Sequence, residues 1–91
     1  MAGSTEFTSS VSISTIVLML SGSATNYLDE ASKQQDPEKK RQSLELSRVT
    51  IDMLVVLGEK TSGNLSTDEK ALLDATLTQL RLQYVRLAGR T

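Results

Sequence analysis

The sequence predicts an all-α fold of three antiparallel helices, and three observations carry that prediction. Apolar residues recur at intervals of three and four along most of the chain, the period of a helix with one buried face. Strong stop-and-start chemistry falls at two places, Asp36-Pro37-Glu38 and Thr61-Ser62-Gly63-Asn64 followed by Ser66-Thr67-Asp68-Glu69. Aromatic residues are confined to Phe7, Tyr27 and Tyr84, so Leu, Val, Ile and Ala must fill the interior, which suits helices packed on helices.

Residues 1–6 are small and polar and read as a disordered tail. Residues 7–91 then form a single helical domain, since 91 residues leave no room for a second. The first helix is expected over residues 10–31. Its apolar positions Ile13, Ile16/Val17, Leu20, Ala24, Tyr27/Leu28 and Ala31 keep the helical period. Val11-Ser12-Ile13-Ser14 alternates like a strand, but the longer period outvotes it. Gly22, inside this helix, costs about 1 kcal/mol in propensity. Close approach of another backbone there would offset that cost.

The second helix is expected over residues 37–60. Asp36 is a good N-cap, Pro37 suits the first helical position, and Glu38 suits the positive end of the helix dipole. Leu46, Val49/Thr50, Met53 and Leu57 form its main stripe, expected to face the core. Leu44, Ile51 and Val55 cluster nearly opposite on a helical wheel. A helix apolar on two sides is either the sandwiched middle member of a bundle or the contributor of a second interface. Leu44, Ile51 and Val55 are therefore the candidate interface, and a two-fold homodimer would let one such patch cover its own copy.

Gly63 is placed for a left-handed cap. Ser66 and Glu69 make a capping box, in which hydroxyl and carboxylate each satisfy an orphan backbone donor. The third helix follows over residues 67–88, with Leu73, Leu77, Leu80, Tyr84 and Leu87 in strict four–three spacing. A core face inside the monomer is favoured over a zipper for another chain, because short loops fold the other helices back onto it. The second and third helices are expected to form the better-defined hairpin.

Composition bounds the chemistry. The chain has no Cys and no His, so it lacks a thiolate nucleophile, a zinc–thiolate site and the commonest general base. Asp52 is the one acid set among apolar residues, and helical spacing pairs it with Arg48 on a solvated face. Lys39-Lys40-Arg41 is a short basic cluster beside Glu38 and Glu45 with no aromatic to stack a base, and the net charge is −1. No nucleic-acid partner is expected. No cofactor and no small-molecule ligand is indicated, and Asn64-Leu65-Ser66 reads as a polar inter-helix turn.

Targeting turns on Phe7 to Leu28, which carries no charge and holds the run Ile16-Val17-Leu18-Met19-Leu20. No Lys or Arg precedes Lys33, so the positive segment of a signal peptide is missing. Ten of those positions are Ser, Thr or Asn, too polar for a span of about 20 mostly apolar residues.

Thr50-Ile51-Asp52-Met53-Leu54, then Glu59-Lys60-Thr61-Ser62-Gly63-Asn64-Leu65-Ser66, then Leu80-Arg81-Leu82-Gln83-Tyr84-Val85 resemble a small bacterial family catalogued as domain of unknown function 1844. Its members similarly carry a Thr-Ile-Asp segment, a Lys-Thr-x-Gly-Asn-Leu turn and a Leu-Arg-x-x-Tyr ending. Phe7 and the Ser-rich first helix match the family's opening segment more loosely. Where members carry a Pro-x-x-Gly-like stretch, this chain has Ser32-Lys33-Gln34-Gln35-Asp36-Pro37. The resemblance implies a small bacterial, cytoplasmic, helical protein and brings no activity, cofactor or ligand site.

The expected function is accordingly a non-catalytic protein–protein interaction or self-association module, with a homo-oligomer or another protein as partner. The alternative is a peripheral membrane or export-linked protein whose first helix engages lipid. An enzyme is disfavoured, because no convergent polar set is visible.

Overall fold

The computed structural model describes residues 12–89, which form three helices: Ile13–Lys33 (α1), Pro37–Lys60 (α2) and Thr67–Ala88 (α3). No strand occurs among the described residues. The expected tail at 1–6 lies outside them.

Each helix begins where side-chain chemistry satisfies its orphan amides. At α1 the Ser12 hydroxyl accepts from the Thr15 amide at 3.3 Å, and Thr15 Oγ1 accepts from the Ser12 amide at 3.4 Å. This reciprocal cap starts α1 at Ile13 rather than at residue 10. The helix also runs two residues past the expected end, where Lys33 pairs with Asp29 at 3.1 Å and suits the negative helix terminus. Asp36 caps α2 by accepting from the Glu38 amide at 2.9 Å, with Pro37 first in the helix. Beyond Lys60 the chain turns through Gly63 at φ 87°, a left-handed conformation that favours glycine.

The Ser66–Glu69 box opens α3. Glu69 donates its amide to Ser66 Oγ at 3.1 Å, and the Ser66 amide donates to Glu69 Oε1 at 2.9 Å. Ser66→Ala is expected to lose about 0.5–2 kcal/mol with the fold intact, read by urea denaturation. A loss too small to measure would mean that water serves these amides equally well.

The long axis measures 52 Å, but the other two only 23 and 16 Å, so few positions are enclosed on every side. From α1, Val17, Ala24, Leu28 and Ala31 are buried; from α3, Leu73 and Leu80 are. Leu77, Tyr84 and Leu87 pack against this core, so the expected α3 stripe does face inward. The α1–α2 pairing is the more extensive one, contrary to the expectation that α2 and α3 form the better hairpin. The buried residues of these two helices include small ones, Ala24 and Ala31 of α1 and Ser43 and Ser47 of α2. Short side chains let helix axes come close.

Two expectations about packing are corrected. Gly22 is exposed, and a methyl added there would meet nothing within 4 Å, so no backbone approaches it. Gly22→Ala is thus expected to stabilise α1 by about 0.5–1 kcal/mol. A destabilised variant would reveal a neighbour over that position. The second correction concerns α2, which is turned about its axis relative to the expected orientation. Ile51 is buried in the core, Leu44 packs against it, and Val55 is half-buried on the α3 side. Of the stripe expected inside, only Thr50 is buried, while Leu57 is half-buried.

Candidate interaction surface

The face that α2 turns inward reads Ser43, Ser47, Thr50, Leu54 and Leu57, a four–three seam. Its hydroxyls are occupied close to home. Ser47 Oγ donates to the Leu44 carbonyl at 2.7 Å and Thr50 Oγ1 to the Leu46 carbonyl at 2.9 Å. Ser43 Oγ reaches across to Glu30 Oε1 of α1 at 3.0 Å. A Ser or Thr bonded back to its own helix presents little more than a small apolar surface to a neighbour. No buried side-chain polar atom among the described residues lacks a partner.

The adjacent seam, one residue earlier at each step, is Gln42, Leu46, Val49, Met53, Val56 and Lys60. Its four apolar members stand in water: Leu46 is 47% exposed, Val49 38%, Met53 50% and Val56 49%. They line neither of the two grooves that flank α3. One groove, about 320 Å³, lies between α1 and α3 and is bounded by Leu28, Asp29, Arg86 and Leu87. The other, about 480 Å³, lies between α2 and α3, over Val55, Gly58, Leu73 and Leu77. The exposed seam therefore runs along the side of α2 away from α3.

Residues of α1 extend the surface. Ile16, Ser23 and Glu30 are spaced by seven and share one column, and Glu30 is the residue that reaches Ser43 of α2. Ile16, 37% exposed, thus lies on the flank of α1 that borders α2. Together these side chains make an apolar face over the α1–α2 groove. The candidate interface residues are not on it: Ile51 and Leu44 belong to the monomer's packing and Val55 to the α2–α3 groove.

The outer edge of the seam is charged and internally paired. Arg48 donates from Nε to Glu45 Oε1 at 3.2 Å and from Nη1 to Asp52 Oδ2 at 3.1 Å. Arg41 Nη2 meets Glu38 Oε2 at 2.6 Å. The Asp52–Arg48 pair read from the sequence is therefore present. The Arg48 hydrogen bond holds the Glu45 carboxyl below the usual Glu range, and the Arg41 hydrogen bond does the same for Glu38. Their contribution is present above the ordinary Glu value and is lost as pH falls through the lowered folded values. Solvated pairs of this kind contribute little; their effect is to occupy the acids. Among the described residues no cluster of acidic side chains is arranged to hold a metal ion.

Sequence reading missed the exposed seam because it counted apolar residues alone and gave Leu46 and Met53 to the core. The usable signal was the second, hydroxyl-bearing seam in register with Leu54 and Leu57. No helix among the described residues is long and apolar enough to cross a membrane. Comparisons with curated proteins and with solved structures give no match. A family model described as Domain of unknown function (DUF1844) matches residues 10–86. That stretch takes in all of α1 and α2 and nearly all of α3, with both connections between them, and the chain belongs to this family.

Proposed function

We propose that the protein is a non-catalytic interaction module of the bacterial cytoplasm, which docks a protein partner on the apolar face over the α1–α2 groove. One observation carries this reading: α2 buries Ser43, Ser47 and Thr50 while Leu46, Val49, Met53 and Val56 stand in water. A helix stabilised only by its own fold would do the reverse, since burying a large aliphatic side chain is worth about 1.5–3 kcal/mol. Places where local hydrophobic patterning is set against the fold are characteristically functional, and contiguous exposed apolar patches mark interaction sites. The catalytic alternative lacks chemistry, with no His or Cys in the chain and three acids of α2, Glu38, Glu45 and Asp52, held in helical ion pairs.

The test is affinity capture from the native host with wild type and a Val49→Glu/Met53→Glu variant. Both positions are exposed, so the variant is expected to stay folded and helical. The reading requires that proteins captured by the wild type, untagged copies of the chain included, be lost from the folded variant. Identical captures by both would overturn it.

A lipid-facing reading rests on Leu18 and Met19 of α1, 59% and 71% exposed. Interfacial helices add Lys or Arg on the polar face to bind anionic lipid, and α1 has no basic residue before Lys33. Flotation with anionic vesicles separates the two readings: under the docking proposal the protein stays at the bottom of the gradient.

A further inference from the structure

We infer that the occupant of this face is a second copy of the chain, with the two α2 helices antiparallel about a two-fold axis level with Ile51. The inference rests on the docking reading and adds the identity and direction of the partner. Gln42, Leu46, Val49, Met53, Val56 and Lys60 keep four–three–four–three–four spacing, the narrow seam by which one helix packs along another. With α1 on the neighbouring seam and α3 beyond it, α2 keeps this one seam for a further helix.

The seam is also a palindrome in chemical type. Counted from Ile51, Val49 and Met53 are equidistant, as are Leu46 and Val56, and Gln42 and Lys60. An antiparallel copy therefore sets Val49 against Met53, Leu46 against Val56, and Gln42 against Lys60. Apolar meets apolar throughout, and each polar end finds a polar end. A parallel copy would set Lys60 against Lys60, a like-charge contact at the edge of an apolar seam. An isologous contact requires self-complementarity of this sort.

Area and rim agree with it. At about 1.5 Å per residue α2 is roughly 36 Å long, and a face two helices wide spans about 20 Å. The resulting surface of roughly 700 Å² is close to the ~800 Å² per partner of a stable interface. Along the rim, Glu38, Glu45, Asp52 and Glu59 form a seven-residue column that would approach its own copy. Arg41 and Arg48, bound to three of those acids within the same helix, offset the repulsion.

The chain has no cysteine, so single-cysteine variants report geometry cleanly. Sedimentation velocity of the purified full chain at high micromolar concentration should give a dimer, weakened roughly 100-fold or more by Met53→Glu, which buries a charge in the seam. Under mild oxidation a mixture of Leu46→Cys and Val56→Cys should form the mixed disulfide. Leu46→Cys alone should not, since its two copies would be about 15 Å apart along the axis and a disulfide needs Cα atoms within about 7 Å. A dimer that cross-links Leu46→Cys to itself, or that ignores Met53→Glu, overturns this inference and leaves the docking face to be judged by capture. A wild type that stays monomeric also overturns it. The docking reading then survives only if capture of a different protein still depends on Val49 and Met53.

Discussion

Leu54→Ala is expected to remove about 2–5 kcal/mol of stability, the largest loss from any single truncation of α2. Leu54 is fully enclosed and is, among the described residues, the biggest side chain with no exposure at all. It sits in the core cluster with Val17 and Leu28 of α1 and Leu73 of α3. In a bundle this thin few neighbours can collapse into the space left behind, so the cavity term is felt nearly in full. A domain of this size has a total stability of only about 5–10 kcal/mol, and the variant should melt far below the wild type or fail to fold at all. Leu80→Ala, at the buried midpoint of α3, should fall in the same range. Thermal unfolding followed by circular dichroism checks both. An unchanged midpoint for Leu54→Ala would mean that the inward face of α2 has been misidentified.

Ser47→Leu is expected to cost about 1–3 kcal/mol or more, by overpacking rather than by loss. Ser47 has no exposure, and its hydroxyl is bonded to the Leu44 carbonyl of its own helix. Two further heavy atoms at that point, in the bulk of a branched side chain, must push the neighbouring helix away from α2. Ser47→Ala is the control. It keeps the volume small, removes a hydroxyl that bonds only within α2, and gains helix propensity, so it should be neutral or slightly stabilising. Urea denaturation of the pair gives the answer. A Leu tolerated without loss would show that the two helices are not close there, and the explanation of the α1–α2 pairing would fail.

These two positions also show what was legible in the sequence. Helix number and the bounds of α2 and α3 were, because capping chemistry is local: Asp36-Pro37, Gly63 and the Ser66–Glu69 box each act within a few residues of themselves. The inward face of α3 was legible because five large residues mark it. The inward face of α2 was not. Its buried residues are partly Ser and Thr, which become compatible with an interior only once their hydroxyls have found carbonyls of the same helix. Polarity read residue by residue assigns them to water. The surface over the α1–α2 groove was hidden for the same reason, since Leu46 and Met53 belong to the core if Ser43 and Ser47 do not.

The hydroxyl-lined seam has a thermodynamic consequence as well. The heat capacity of unfolding and the denaturant dependence of stability both scale with the surface that unfolding uncovers, and the heat capacity with its apolar part above all. A slab 16 Å thick, with Ala24, Ala31, Ser43 and Ser47 among its buried residues, uncovers less of it than a Leu-rich bundle of equal length. The isolated monomer should therefore show a shallow urea slope and a flat stability curve, with a broad melt and stability that varies little across the ordinary temperature range. Burial of Leu46, Val49, Met53 and Val56 against a partner would steepen that slope and make the melting midpoint rise with concentration.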